Sequence, residues 1–295
     1  MVLSRTELML TKTFLLIRIS LYFFVLPCLR SIWSRMPLAP FAKETDSLFG
    51  MLWKNLSVFD STQLAYVAAT SREHGGYVAE QNHAFYPMFP WIANSIATAF
   101  GDDHFIYVGP LLSLIQSYLN MILLYRVGVL VYKDSKMAEL AAYLYIASHS
   151  VLYQITFYSE NTFLLFTLLG FYAMYAGKRI SQTSRGFGIP STSYALLACF
   201  FFGMSTLTRS TGVLLSIFIA FFVGNAILIR SDRCLATARS IFVALICIAI
   251  MFAPLLIIVY WRPHLLHCGL RFDREWRGTF PEWCIDDVPN VYTYI

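Results

Sequence analysis

The hydrophobic positions of this chain lie in long runs that are separated by short polar stretches. Seven of these runs approach the roughly 20 apolar residues that one helical crossing of a bilayer requires. Backbone exposed to lipid must satisfy its hydrogen bonds within its own segment, so continuous apolar runs predict helices. We expect spans at residues 13–29, 105–131, 137–157, 162–176, 194–207, 213–229 and 241–261.

The composition supports a membrane protein. Of the 295 residues, 58% are hydrophobic and only 13% are charged, whereas a soluble domain carries about 25% charged residues. The fold class is therefore predicted to be all-α and multi-pass, with residues 1–295 as a single membrane domain. The formal net charge is +5, but the basic residues form no dense patch interleaved with aromatics, so no nucleic-acid partner is expected.

The first span has two interpretations. It is N-terminal and follows Arg5 and Lys12, as the apolar region of a cleaved signal peptide would. Arg18 interrupts its apolar core, which a signal peptide rarely tolerates, whereas a helix packed in a bundle can pair such a residue. We favour a retained helix.

Lysine and arginine in the short loops indicate the orientation. One side carries Lys133, Lys136, Lys178, Arg179, Arg185, Arg230, Arg233 and Arg239, while the short loops of the other side carry only Arg209. The positive-inside rule makes the first side cytosolic, together with the N-terminus. The lumen then receives a first loop at residues 30–104, the corners at Tyr158–Glu160 and Arg209, and a final segment at residues 262–295.

The first luminal loop carries its own pattern of elements. Asp60-Ser61-Thr62-Gln63 has the form of a helix N-cap with a capping box, and Leu64, Val67 and Ala68 follow at helical spacing. Farther along, residues 85–90 form an aromatic strip stiffened by two prolines. We therefore expect a surface helix from Asp60, followed by this strip at the membrane interface.

The six cysteines form no CxxC pair and lack metal-ligand spacing, so no zinc site or cofactor is expected. Cys268 and Cys284 share the final luminal segment and are a candidate disulfide in an oxidising compartment. Asp102-Asp103-His104 superficially resembles a metal cluster. Adjacent acidic residues before a span more often form a turn and a helix start, and we assign no metal to them.

Four short motifs follow one another on the predicted luminal side. They are Phe59-Asp60 with Gly76-Tyr77 and the strip Ala84-Phe85-Tyr86-Pro87-Met88-Phe89-Pro90; Tyr158-Ser159-Glu160; Leu207-Thr208-Arg209-Ser210-Thr211-Gly212; and Trp283-Cys284 through Pro289 to Tyr294-Ile295. In this order they resemble the luminal motifs of the GPI mannosyltransferase 2 family. The resemblance covers nearly the whole chain, which looks like a C-terminally short version with residues 262–295 as a truncated luminal segment. It departs at Phe59, where tryptophan is commoner, and at Thr211, where asparagine is usual.

The resemblance implies a GT-C-type glycosyltransferase helical bundle in the endoplasmic reticulum membrane. The implied reaction is an inverting hexosyl transfer from dolichyl-phosphate-mannose to the GPI glycolipid precursor. It adds the second mannose through an alpha-1,6 linkage. No cofactor is implied, and the need for a small accessory membrane subunit is left open.

Three charged residues in these motifs are candidates for the chemistry. Asp60 is the candidate catalytic base for the acceptor hydroxyl, although an N-cap role would also explain it. Arg209 is the candidate for neutralising the lipid phosphate, or it is an arginine that snorkels to headgroups. Glu160 either orients the acceptor, pairs with Arg209 or ends a helix.

The same motifs supply further substrate-binding candidates, which are Tyr77, Phe85, Pro87, Tyr158, Ser159, Ser210 and Gly212. The aromatic strip either lines a groove for the dolichyl chain or only anchors the loop at the interface. Elsewhere, Gln116 and Asn120 share one face of the second span at i, i+4 spacing. Hydrogen bonding between helices is their expected use.

Two other classes of protein fit the same span pattern. A multi-pass lipid or sugar transporter would also bury polar residues between helices, but it would place its charges near mid-membrane. Here the charged residues cluster at the luminal ends of spans, which favours chemistry at the interface. A non-catalytic subunit of a membrane glycosylation complex is the second alternative.

Overall fold

A computed structural model describes residues 4–25, 60–69, 85–100, 105–148, 154–183, 189–221 and 234–257. In these ranges the chain forms helices joined by turns, without strands. The helices are α1 (Arg5–Ser20), α2 (Asp60–Ala69), α3 (Met88–Phe100), α4 (Phe105–Tyr132), α5 (Ser135–Ile146), α6 (Glu160–Thr183), α7 (Ile189–Thr206) and α8 (Cys234–Leu255). A π-helical turn at Leu21–Val25 extends α1, and a 3₁₀ helix at Ser210–Leu215 follows α7. The all-α prediction is confirmed for this part of the chain.

Helix α4 is polar on its buried face and apolar on its exposed face. Leu111, Ile115 and Leu119 recur every four residues and are 42–50% exposed. Gln116 and Asn120, on the buried face, are 4% and 0% exposed. A helix at the surface of a soluble protein has the opposite arrangement. The outer face of α4 therefore suits lipid, while its inner face makes hydrogen bonds.

One helix in the described ranges, Val108–Tyr132, is long and apolar enough to cross a membrane. Shorter apolar helices are Ser193–Thr206, Ser210–Phe221 and Ile241–Ala253. Each of them lies within or overlaps a run that the sequence predicts to span the bilayer. The number of seven crossings stays a prediction.

The structure differs from the sequence prediction at the third span, residues 137–157. Helix α5 ends at Ile146 after 12 residues, a length of about 18 Å, and residues 154–157 form turns. The buried polar side chain of Gln154 explains the difference, because it joins a polar network with Arg18 and Ser117 between helices instead of continuing an apolar helix. The apolar residues Ile155 and Phe157 were a misleading signal for a helix.

The helices pack in an order that follows the chain, with α4 against α5 and α6, α6 against α7, and α7 against α8. Helix α1 packs against both α4 and α5. It carries Arg18, which is 2% exposed and donates hydrogen bonds to Ser117 and Gln154. This pairing of Arg18 inside the bundle is the arrangement that the retained-helix interpretation expects.

Helices α2 and α3 meet near the N-terminal end of α4. Their shared core contains Leu64, Ala68, Phe89 and Ala93, packed around Phe157. The rings of Phe89 and Phe157 meet edge to face with centroids 4.9 Å apart. The predicted helix from Asp60 is confirmed, whereas sequence reasoning missed α3.

Candidate functional site

A cavity of about 180 Å³ lies where four separate parts of the chain meet. Its lining comes from α2, from the aromatic strip before α3, from the turn before α6 and from the turn after α7. The lining residues are Leu64, Phe85, Tyr86, Tyr158, Ser159, Glu160, Thr208, Arg209 and Ser210. The structure therefore brings together three of the four motif regions that carry the family resemblance.

The turn after α7 owes its shape to backbone hydrogen bonds. The carbonyl oxygen of Ser205 accepts from the backbone N–H groups of Thr208 and Arg209, at 3.0 and 3.1 Å. Arg209 then adopts an extended conformation, with φ −154° and ψ 144°, before the 3₁₀ helix begins at Ser210. Gly212 closes the turn by donating its N–H to the carbonyl oxygen of Arg209 at 3.0 Å. Arg209 is therefore held between two helices by main-chain contacts.

A backbone contact joins this turn to the aromatic strip. The N–H of Met88, the first residue of α3, donates to the carbonyl oxygen of Leu207 at 3.2 Å. The N–H groups of the first helical turn have no partner within their own helix, so this one is available for a long-range contact. Phe85 and Arg209 thus reach the same cavity although more than 120 residues separate them.

The turn before α6 places the third set of residues. Tyr158 donates its N–H to the carbonyl oxygen of Thr156 at 2.9 Å, and Phe163 donates to Ser159 at 2.9 Å, which is the first bond of α6. Glu160 is the first residue of α6. A carboxylate is favourable there, because the N-terminus of a helix carries a partial positive charge.

An ion pair lies at the wall of the cavity. Nη1 of Arg209 donates to Oε1 of Glu160, and both side chains are about two-fifths exposed. The other carboxylate oxygen, Oε2 of Glu160, is buried and has no hydrogen-bond partner within the described ranges. Of the three alternatives for Glu160, the structure shows the pairing with Arg209.

Asp60, the candidate base, is the first residue of α2. It lies one turn before Leu64, and residues four apart share a face of a helix. Its side chain lies outside the described residues, as do Tyr77, residues 102–104, Cys268 and Cys284. Pro87 is buried beside the strip residues, and Gly212 shapes the turn but does not line the cavity.

Three lining residues were absent from the predicted site, namely Leu64, Tyr86 and Thr208. Tyr86 and Thr208 stand inside the quoted motifs, so adjacency was a usable signal. For Leu64 the sequence indicates only its place in the helical spacing with Val67 and Ala68. Gln116 and Asn120 of α4 make hydrogen bonds to α6, as expected. Gln116 accepts from Thr162 at 2.8 Å, and Asn120 donates to the carbonyl oxygen of Asn161 at 2.9 Å.

The fold and the site define a class of protein: a helical bundle with apolar outer faces and an arginine–glutamate pair in a polar cavity at one end. The sequence identifies the family. A profile of the mannosyltransferase (PIG-V) family matches residues 8–295, and the chain belongs to that family. It is also 28% identical over 166 residues to GPI mannosyltransferase 2 of Chaetomium globosum.

That alignment covers 50% of this chain and 35% of the fungal protein. The chain thus aligns with about a third of the length of this curated relative. No solved structure matches the chain.

Proposed function

We propose that this chain is a mannosyltransferase that adds the second mannose to the GPI anchor precursor in the lumen of the endoplasmic reticulum. The proposed donor is dolichyl-phosphate-mannose, and the new bond is an alpha-1,6 linkage formed with inversion. The observation that carries this proposal is the cavity in which Arg209 and Glu160 meet residues of the aromatic strip. Membership of the mannosyltransferase (PIG-V) family supports the transfer of mannose.

Arg209 suits the phosphate of such a donor. A guanidinium presents several N–H donors in one plane and binds phosphate oxygens through two parallel hydrogen bonds. Only Nη1 of Arg209 is used by Glu160, and the side chain is 42% exposed. Among the described residues, Glu160 is the side-chain partner of Arg209, which leaves its remaining donors available there to a lipid phosphate that approaches the cavity.

The size of the cavity supports a small polar group as its occupant. Its volume of about 180 Å³ is below the roughly 300–1,000 Å³ of pockets that enclose a drug-sized ligand. One sugar or one phosphate group would occupy it, while the polyprenyl chain would remain in the bilayer beside the exposed apolar helix faces. Phe85 and Tyr86, at the wall of the cavity, are suited to contact the apolar face of a sugar ring.

The transfer requires a base and a stabilised leaving group. In the proposed step the acceptor hydroxyl oxygen attacks C1 of the donor mannose, and its proton passes to the carboxylate of Asp60. The bond between C1 and the phosphate oxygen breaks, and its electron pair leaves with the dolichyl phosphate. Arg209 then stabilises the negative charge that develops on that phosphate.

The position of the cavity along α4 supports a luminal site. Gly109 lies against Phe157, next to the turn that lines the cavity, whereas Lys133 follows the opposite end of α4. The two positions are separated by about 36 Å of helix, which exceeds the hydrocarbon thickness of roughly 30 Å. If the Lys133 side is cytosolic, the cavity faces the lumen.

The proposal is tested by restoring mannosylation in cells that lack the second-mannose enzyme. Expression of this chain should restore precursors that carry two mannoses, and Asp60→Ala should abolish the restoration. Asp134→Ala is the matched control, because Asp134 caps α5 through the N–H of Lys136 at 2.8 Å, far from the cavity. Asp134→Ala should restore mannosylation as the unaltered chain does.

The same experiment separates the alternatives. A transporter would change the amount of lipid-linked sugar in the lumen without forming the second mannosyl bond in purified membranes. A non-catalytic subunit would restore mannosylation only where another mannosyltransferase chain is present, and Asp60→Ala would not affect it. Either outcome would contradict the proposed catalytic role.

A further inference from the structure

Arg18 of α1 is buried deep inside the bundle and is not part of the cavity. Its side chain is 2% exposed. Nη2 donates to Oγ of Ser117 at 3.3 Å and to Oε1 of Gln154, and the guanidinium lies 4.7 Å from the centroid of the Phe14 ring. Nε and Nη1 are buried and have no hydrogen-bond partner among the residues that the structure describes. The guanidinium is thus removed from water, while the protein replaces only part of the hydrogen bonds that it would make there.

Packing of α1 does not explain an arginine at this position. Burying a charge with incomplete hydrogen bonding costs free energy, and an apolar side chain of similar volume is often neutral or stabilising in its place. Helix α1 is already joined to α4 by Glu7, which accepts from Nε of Arg126 at 2.7 Å. We therefore look for the role of Arg18 in the residues to which it is hydrogen-bonded.

Those groups connect to the turn that lines the cavity. Gln154 is bonded to Arg18 through its side chain and to Asn161 through its main chain, where its carbonyl oxygen accepts from Nδ2 of Asn161 at 2.8 Å. The same Nδ2 also donates to the carbonyl oxygen of Ser113 on α4 at 2.9 Å. Gln154 and Asn161 flank residues 158–160, which line the cavity. Both ends of this turn are consequently held by the polar network.

We propose that Arg18 is a positioning residue for the transfer reaction: it holds, through Gln154, the turn that presents Tyr158, Ser159 and Glu160 to the cavity. The inference rests on the proposed function, because the position of this turn affects a rate only if the reaction occurs there. A displacement of about 1 Å in a catalytic site can lower a rate by about 100-fold. Arg18 thus influences the reaction without touching the substrate.

The test compares Arg18→Met, Gln154→Leu and the double variant in membranes, with mannosyl transfer measured at saturating donor. Each single variant should lower kcat by about 10- to 100-fold, with the KM for the donor little changed. The double variant should be no slower than the slower single variant, because both remove the same connection. Arg18→Lys should retain part of the activity, since an ammonium group can still donate to Gln154.

Arg126→Met is the matched control. It removes the contact between α1 and α4 at Glu7, about 13 Å along α4 from Ser117, and it should leave kcat within about twofold. If Arg126→Met slows transfer as much as Arg18→Met, Arg18 only docks α1 and the inference is wrong. Wild-type kcat in Arg18→Met, or a double variant whose loss equals the product of the single losses, would overturn it too.

A second measurement does not depend on activity. In Ser159→Cys, the introduced thiol lies at the cavity wall, and its rate of reaction with a water-soluble maleimide reports the position of the turn. Arg18→Met should change this rate severalfold, and Arg126→Met should not. If the chain transfers no mannose, the proposed function fails, while the labelling rates still decide whether Arg18 holds the turn. Equal labelling rates in all variants would refute the positioning role.

Discussion

Gly212 lies directly against the main chain of Thr206: a β-carbon at position 212 would be 2.5 Å from the Cα of Thr206 and 2.6 Å from its nitrogen. Contacts this short with backbone atoms cannot be relieved by rotating a side chain. The turn that carries Arg209 therefore depends on the absence of a side chain at Gly212.

Gly212→Ala should displace this turn. We expect a loss of about 1–3 kcal/mol in the free energy of unfolding, as for other overpacked sites, and a fall in mannosyl transfer of about 10-fold or more. Melting of the purified protein and transfer per folded molecule are the measurements. Gly128→Ala is the control, because its β-carbon would lie 2.9 Å from the Cβ of Ala138, away from the cavity. Gly128→Ala should lower the free energy of unfolding but leave mannosyl transfer per folded molecule unchanged. Unchanged transfer in Gly212→Ala would show that the turn has no role in activity.

Gly109 and Phe157 should behave as a coupled pair. A β-carbon at Gly109 would lie 1.5 Å from Cδ2 of Phe157, so Gly109→Ala should destabilise the protein by about 1–3 kcal/mol or more. Adding Phe157→Leu removes the ring and should recover at least about 1 kcal/mol of that loss. Thermal or denaturant unfolding of the two single variants and the double variant tests this. If the losses of unfolding free energy in the two single variants simply add up in the double variant, Gly109 and Phe157 are not in contact.

Asn161 should be important for the packing of α6 on α4. It is 2% exposed, and its Nδ2 donates to the carbonyl oxygens of Ser113 and Gln154. Asn161→Leu leaves both oxygens without this donor and should cost about 1–3 kcal/mol of unfolding free energy. Ser95→Ala, at an exposed hydroxyl bonded to the carbonyl oxygen of Trp91, should change stability by less than about 0.5 kcal/mol. Similar losses of unfolding free energy in Asn161→Leu and Ser95→Ala would mean that Asn161 is not important for the packing of α6 on α4.

The cavity and the loop at Lys133 should face opposite sides of the membrane. Ser210 and Lys133 are both exposed, so cysteines placed at these positions in a background without other reactive thiols are accessible to reagents. In sealed endoplasmic reticulum vesicles, Lys133→Cys should react with an impermeant maleimide. Ser210→Cys should react only after permeabilisation. Reaction of both cysteines in sealed vesicles would contradict a luminal cavity.

The apolar pattern predicted a long helix well where the apolar run is uninterrupted, and it did less well elsewhere. The second span was predicted at residues 105–131, and α4 covers Phe105–Tyr132, because a long uninterrupted apolar run determines both the type and the length of the helix. Helix α3 was missed because Pro87 and Pro90 suggested only a proline-stiffened strip. A proline in the first helical turn costs no hydrogen bond, since the N–H groups there have no partner in the helix. Pro90 is the third residue of α3.

The sequence motifs contain several of the residues that line the cavity but do not predict the main-chain contacts that hold them together. The motifs identified Phe85, Tyr158–Glu160 and Arg209, and the cavity contains them all. The contacts that bring them together are the bond from Met88 to the main chain of Leu207 and the close approach of Gly212 to Thr206. Hydrogen bonds between main-chain groups leave no pattern of residue types, and a glycine such as Gly212 does not show which backbone lies against it. The sequence therefore could not have indicated them.

The proposed binding of the donor phosphate by Arg209 can be tested by removing both charges of its ion pair. In Arg209→Gln with Glu160→Gln, two amides can still hydrogen-bond, so folding should be preserved. Glu160→Gln alone is the control that keeps the arginine. The decisive measurement is the rate of mannose transfer from labelled dolichyl-phosphate-mannose in membranes. The double variant should melt like the unaltered chain but transfer mannose at least about 100-fold more slowly, the loss typical of a missing charge-stabilising donor. Transfer by the double variant at the rate of the unaltered chain would show that the Arg209–Glu160 ion pair is only structural and would contradict binding of the donor phosphate by Arg209.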